Sequence, residues 1–236
     1  MLWRSWFLSR AIECSSGRTF GAARSSLRER TASLISRSSC ESPRTSTRIV
    51  RLFLAINIPS EVRHAIAEAS VPLRTAAPDL SWIREPQLHL TVKFLGEQPD
   101  EMAPKIAAAM NAVAARNRVV DVEIGGVGAF PNFRRPRVVW IGVSPEPKLE
   151  LLHHDVEAAC ESLGLPLDGK PFRPHLTLAR VKPRAATRDA LRDLARAAKT
   201  VSLAEEVVIT SIDLMESELT TVGSRYRMLS SSPLRN

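Results

Sequence analysis

Two tetrapeptides of one pattern, His89-Leu90-Thr91-Val92 and His175-Leu176-Thr177-Leu178, recur 86 positions apart in this 236-residue chain. Each sets an imidazole two residues before a hydroxyl. Imidazole is the side chain that gives and takes protons near neutral pH, at an ordinary pKa of about 6.5. Both copies lie in short apolar, β-branched runs bounded by proline or glycine, the pattern of a strand. Alternate residues of a strand share a face. His89 and Thr91 are therefore expected to point one way while Leu88, Leu90, Val92 and Phe94 enter the core. His175 and Thr177 should repeat this, with Leu176 and Leu178 behind them. A lone strand histidine is ordinarily a packing residue; a duplicated imidazole-hydroxyl pair points to two related halves facing one cleft. One neutral and one protonated imidazole there would make a general base and a general acid.

Arginines near the motifs are the candidate anion binders, because a guanidinium fork matches phosphate oxygens. Arg173 and Arg180 flank the second motif, and Arg134, Arg135 and Arg137 precede another strand. Arg180 lies five positions after His175, so strict alternation puts it on the opposite face. It reaches the cleft only if the strand ends or bulges first. Other features point to structure rather than chemistry. Gly125-Gly126-Val127-Gly128 lacks dinucleotide-loop spacing and is expected to be a bend between strands. His153 and His154 are adjacent on a helix, diverge by about 100° and default to the surface, as does His64. Arg188, Arg192, Arg196 and Lys199, interleaved with Asp189 and Asp193, make a solvated helix face.

The formal charge of +8 is uneven. Residues 1–50 hold nine Arg, no Lys and three Glu, whereas residues 51–236 hold 24 basic and 22 acidic side chains. Attraction to nucleic acid must therefore come from a local patch. The leader is rich in Arg and Ser, and its apolar stretch is too short for a membrane span. It is consistent with a misassigned start, a transit peptide or a basic tail. Cys14, Cys40 and Cys160 have no disulfide or zinc spacing, which favours a reducing compartment.

Strands and helices alternate after the leader. Strands are expected at residues 51–58, 87–95, 119–124, 137–143, 172–179, 206–217 and 225–229. Helices are expected at 60–73, where Ser60 would be the N-cap, and at 100–117, 147–163 and 187–199. An order of strand, helix, His strand, helix appears in both halves.

Arg51-Leu52-Phe53-Leu54-Ala55-Ile56, His89-Leu90-Thr91-Val92-Lys93-Phe94-Leu95-Gly96 and Arg173-Pro174-His175-Leu176-Thr177-Leu178-Ala179-Arg180 closely resemble the RNA 2′,3′-cyclic phosphodiesterases. That family, also called 2′–5′ RNA ligases, belongs to the two-histidine phosphoesterase superfamily. The resemblance covers residues 51–236, including the stretches from Ser217 and from Gly223. It implies an α+β fold, bilobed, pseudo-symmetric and duplicated, with antiparallel sheets flanking a central cleft and helices outside. Relatives begin near Arg51, which favours a misassigned start for residues 1–50. The implied reaction is metal-independent opening of RNA 2′,3′-cyclic phosphate ends to 2′-phosphates. His89 would protonate the leaving 3′ oxygen and His175 would accept the proton of water. Thr91 and Thr177 would hold nonbridging oxygens, and Arg180, Arg135 and Arg173 are the candidate substrate contacts. No cofactor and no metal is implied. The partners would be RNA ends or cyclic nucleotides, with no membrane, for a monomer in the cytoplasm, or in a mitochondrion or plastid if the leader is a transit peptide. The alternatives are 2′–5′ ligation, hydrolysis of small cyclic nucleotides, and a non-catalytic RNA-end-binding module.

Overall fold

A computed structural model describes residues 48–182, 187–220 and 223–236. Most of the leader, with Cys14 and Cys40, lies outside the described residues. Fourteen elements alternate along the rest: β1 (Ile49–Asn57), α1 (Ser60–Ala69), α2 (Val71–Ala76), β2 (Ser81–Trp82), β3 (His89–Pro99), α3 (Met102–Ala114), β4 (Val120–Phe130), β5 (Val138–Val143), α4 (Pro147–Ser162), β6 (His175–Arg180), α5 (Arg188–Ala197), β7 (Ala204–Ile209), β8 (Ser211–Thr220) and β9 (Gly223–Pro233). A 3-10 turn, Glu85–Gln87, leads into β3.

The strands form one antiparallel sheet in the order β7-β4-β5-β6-β3-β1-β8-β9, with β2 added to β6. The two expected sheets are its halves, β7-β4-β5-β6 and β3-β1-β8-β9. They meet at a single pairing, Leu90 with Leu176. A flat version is impossible. Only Thr210 separates β7 from β8, yet these strands are first and seventh in the order. Six inter-strand spacings come to roughly 29 Å, and one residue reaches only about 3.5 Å. The sheet must curl until its two ends approach. A parallel bridge between Arg118 and Arg235 pins them together.

Helices cover one face of the sheet. Leu52, Leu54 and Ile56 of β1, Leu90 and Val92 of β3 and Leu176 and Leu178 of β6 are buried in one core with Ile66, Ile106, Met110, Leu152 and Val156 of the helices. The opposite face of β1 carries a smaller cluster of Phe53 and Ala55 with Met215, against which Tyr226 packs. β1 is thus apolar on both sides, and its sequence is a continuous apolar run rather than an alternation.

Several expected boundaries shift for identifiable reasons. The helix expected at 60–73 is two helices broken at Ser70, because Pro72 has no N–H to continue the first one. Pro59 rather than Ser60 occupies the N-cap position. The strand expected at 206–217 is two strands, since the chain passes from one sheet half to the other at Thr210. The glycine-rich stretch is not a bend but lies inside β4, where a bulge falls between Gly125 and Val127 and Gly126 takes φ +69°. A Cβ on Gly128 would sit 2.1 Å from the Trp140 ring, so this strand needs glycine to let the indole lie across it. His153 is not a surface residue: it is half-buried, with its ring stacked 4.1 Å from that of Phe172. His64 is exposed, as expected.

Candidate active site

The pairing of Leu90 with Leu176 fixes the site. Directly opposed residues of an antiparallel pair share a face, and both leucines are buried against the helices. The residues flanking them must face the other way. By the same register His89 lies opposite Thr177, and Thr91 opposite His175. The two His-x-Thr pairs therefore form a diagonal quartet on the helix-free face. In a regular ladder diagonal neighbours are ~7–8 Å apart, a span that a phosphate can bridge between two imidazoles.

Both histidines are oriented alike. His89 Nδ1 is 2.8 Å from the carbonyl oxygen of Gln87, and His175 Nδ1 is 2.6 Å from that of Arg173. A carbonyl can only accept, so each Nδ1 carries the proton and donates it. That leaves each Nε2 free to act as a base when neutral or an acid when protonated. Aromatic edges hold the rings in place. Phe53 and Tyr226 pack on His89 at 5.1 and 5.2 Å, and Phe130 packs edge-on to His175 at 5.0 Å. Burial pushes both imidazoles below their ordinary value. The backbone carbonyls pull them back up, and the positive charge of Arg180 pushes both down.

Strict alternation fails in both motif strands, at the same place. Opposite β1, the pairings step from Ala55–Thr91 to Leu54–Lys93, so Val92 is an extra residue. Opposite β5 they step from Trp140–Thr177 to Val139–Ala179, so Leu178 is extra. Each bulge falls three residues after its histidine and reverses the faces beyond it. Phe94 is therefore not in the core: it is 63% exposed and lines the cleft. Arg180, at the equivalent position of the second motif, turns to the same cleft. Lys93 is turned the other way, into the core.

A cavity of about 290 Å³ is lined by residues from both halves, among them His89, Thr91, Phe94, Thr177, Arg180 and Tyr226. His175 does not line this cavity itself. It precedes Thr177 on the same face, and Arg180 acts electrostatically on it as on His89. Arg135 and Arg173 are exposed and do not line the cavity. The backbone N–H of Arg135 donates to Asn132 Oδ1 in the loop after β4, and Arg173 lends His175 its carbonyl. Phe94 and Gln87 are site residues that strand alternation and residue type do not disclose. Gln87 orients His89 by its carbonyl and ties the site to β9 through a side-chain hydrogen bond to the Ser224 carbonyl. Among the described residues no group of three or more His, Cys, Asp or Glu could hold a metal ion. No helix among them is long and apolar enough to cross a membrane.

Comparison with known proteins gives a consistent picture. A family model described as the 2′-5′ RNA ligase superfamily matches residues 58–220. An RNA 2′,3′-cyclic phosphodiesterase of Geobacillus stearothermophilus is 36% identical over 77% of this chain, which spans 56% of that protein's length. One from Thermus thermophilus is 35% identical over 79% of this chain and 91% of its own. The crystal structure of TT0787 of Thermus thermophilus superposes with a TM-score of 0.66 at 32% identity, covering 79% of this chain and 98% of that one. E. coli LigT complexed with 3′-AMP shares the fold at a TM-score of 0.63 and 24% identity, over 80% of this chain and all of LigT.

Proposed function

This chain belongs to the 2′-5′ RNA ligase superfamily, and from that premise we propose that it is an RNA 2′,3′-cyclic phosphodiesterase, opening cyclic phosphate ends to 2′-phosphomonoesters. The observation that carries the reading is the diagonal quartet, with each Nδ1 engaged by a carbonyl so that each Nε2 is left for the substrate. Opening the five-membered ring needs a proton delivered to the departing 3′ oxygen and one removed from the attacking water on the far side of phosphorus. His89 supplies the first from its protonated Nε2, and neutral His175 accepts the second. Each transfer is typically worth ~10²–10⁴ in rate. The Thr91 and Thr177 hydroxyls donate to the nonbridging oxygens. The Arg180 fork meets the phosphate, whose charge shifts outward in the transition state.

The exposed ring of Phe94 gives the terminal base a stacking surface on the His89 side. Arg135 and Arg173 are left for outer contacts with a longer strand. Both motifs come from one chain within residues 51–236, which favours a monomer. The buried, unbridged Cys160 favours a reducing compartment such as the cytoplasm. The test is direct. RNA ending in a 2′,3′-cyclic phosphate should yield the 2′-phosphate with wild-type protein, and no product with His89→Ala or His175→Ala, both folded. Full activity in either variant removes that histidine from the mechanism. Tight binding without turnover by the wild type would replace the enzyme with a binding module.

A further inference from the structure

The helix-covered core holds one lysine that the chemistry above does not use. Lys93 is 1% exposed, two residues beyond Thr91, and it is there because the bulge at Val92 turns it inward. Its counterpart in the second motif is the small apolar Ala179, so the duplication does not require a charge at this place. A buried ammonium costs several kcal/mol unless paired. Lys93 Nζ donates to Glu157 Oε1 at 2.7 Å and lies 3.6 Å from Asp168 Oδ1. Glu157 is itself buried, on α4, and its other oxygen accepts the backbone N–H of Asp168 at 3.0 Å.

These contacts join the two halves. Lys93 belongs to the His89 strand. Glu157 and Asp168 belong to the helix and loop that lead into the His175 strand. The same loop is held further on where Phe172 stacks on His153 of α4. The next residue, Arg173, supplies the carbonyl that orients His175. Beside the motifs the halves share one sheet pairing, and a further backbone link, the Arg118–Arg235 bridge, lies at the far ends of the sheet. The ladder at the cleft therefore leaves the placement of His175 against His89 weakly specified. We propose that Lys93 and Glu157 are positioning residues. Their buried ion pair locks the loop before β6 to the strand of the first motif, and so sets the placement of His175 relative to His89.

The proposal rests on the phosphodiesterase reading for its kinetic readout, and has a second readout that does not. Lys93→Met takes the ammonium partner from the buried Glu157 carboxylate, and Glu157→Leu leaves Lys93 only its longer contact with the half-exposed Asp168, so each should lower Tm. The double variant replaces the pair with apolar side chains and should regain most of that Tm, since such replacements are often neutral or stabilising. Its kcat on a nucleoside 2′,3′-cyclic phosphate should nevertheless stay at least ~10-fold low, with KM within about threefold of the wild type. The imidazole NMR signals of His175 in the free protein should shift, while those of His89 stay put. Asp168→Ala, at a half-exposed site whose loss strands no buried charge, should shift the same His175 signals even if the double variant does not fold. A double variant with wild-type kcat and unmoved His175 signals would overturn the proposal and make the pair purely structural. If the wild type hydrolysed no cyclic phosphate, the NMR shifts would still decide the question.

Discussion

Replacing Arg180 with glutamine separates two effects that the structure assigns to one side chain. Glutamine keeps a donor but loses the charge and the planar fork. Arg180 faces the cleft only because Leu178 is an extra residue, and it lines the cavity with Thr91 and Thr177. Removing one preorganised donor from a developing oxyanion costs ~10²–10³ in kcat, so kcat/KM should fall by about that factor. A second effect runs the other way. The Arg180 charge depresses both imidazoles, as a smaller contribution than their burial. Arg180→Gln should therefore let both rise and move the free-enzyme pH profile toward alkali. Arg180→Lys keeps the charge without the fork, so its rate should be intermediate and its profile unshifted. Initial rates on cytidine 2′,3′-cyclic phosphate between about pH 4.5 and 8.5, with histidine NMR titrations, read both effects. A glutamine variant within about threefold of wild type, with unmoved imidazole titrations, would show that the bulge does not bring Arg180 to the phosphate.

Phe94→Ala should cost about 10-fold in kcat/KM on RNA ends, since stacking is worth ~1–3 kcal/mol per base, and Tm should hardly change because the ring is exposed; an unchanged rate would remove the base from that surface. The kcat/KM profile should be a bell with its optimum on the acid side of the ordinary imidazole value of 6.5, because burial lowers both histidines and one must be protonated. An optimum above about pH 7.5 would contradict this assignment. Stability should decline as pH falls below 6.5: His89, His153 and His175 all have lowered values, so the unfolded chain binds protons first. A Tm flat from about pH 7 to 5 would refute that linkage. Exhaustive treatment with EDTA should leave hydrolysis intact; loss restored by a divalent ion would count against the two-histidine scheme.

Much of this site is legible in the sequence because strand periodicity is local. Two His-x-Thr pairs, read with period two, already place the four candidate side chains of the proposed site on one face of their strands. What the sequence hides is the break in that period. Nothing in Val92-Lys93 or Leu178-Ala179 announces an extra residue. Alternation therefore sends Phe94 to the core and Arg180 away from the cleft, and both assignments reverse once the pairing with β1 and β5 is known. The glycines of β4 read as a bend because glycine favours turns, yet the Trp140 ring that Gly128 makes room for comes from the next strand. The sequence assigns His153 to the surface for a similar reason. Its partner, Phe172, lies beyond the helix and meets it only after the loop folds back. Distant pairing also explains why the β7–β8 run read as one strand.

The central claim is that both imidazoles grip one phosphate from its two sides. A crystal structure of the protein with a nucleoside 2′-monophosphate tests it most directly. The account predicts one phosphoryl group on the helix-free face, with His175 Nε2 within about 3.2 Å of a phosphate oxygen and His89 Nε2 within the same distance of the ribose 3′ oxygen. A 2′-nucleotide that contacts only one of the two histidines through its phosphate and 3′ oxygen, or that binds away from the quartet, would contradict it.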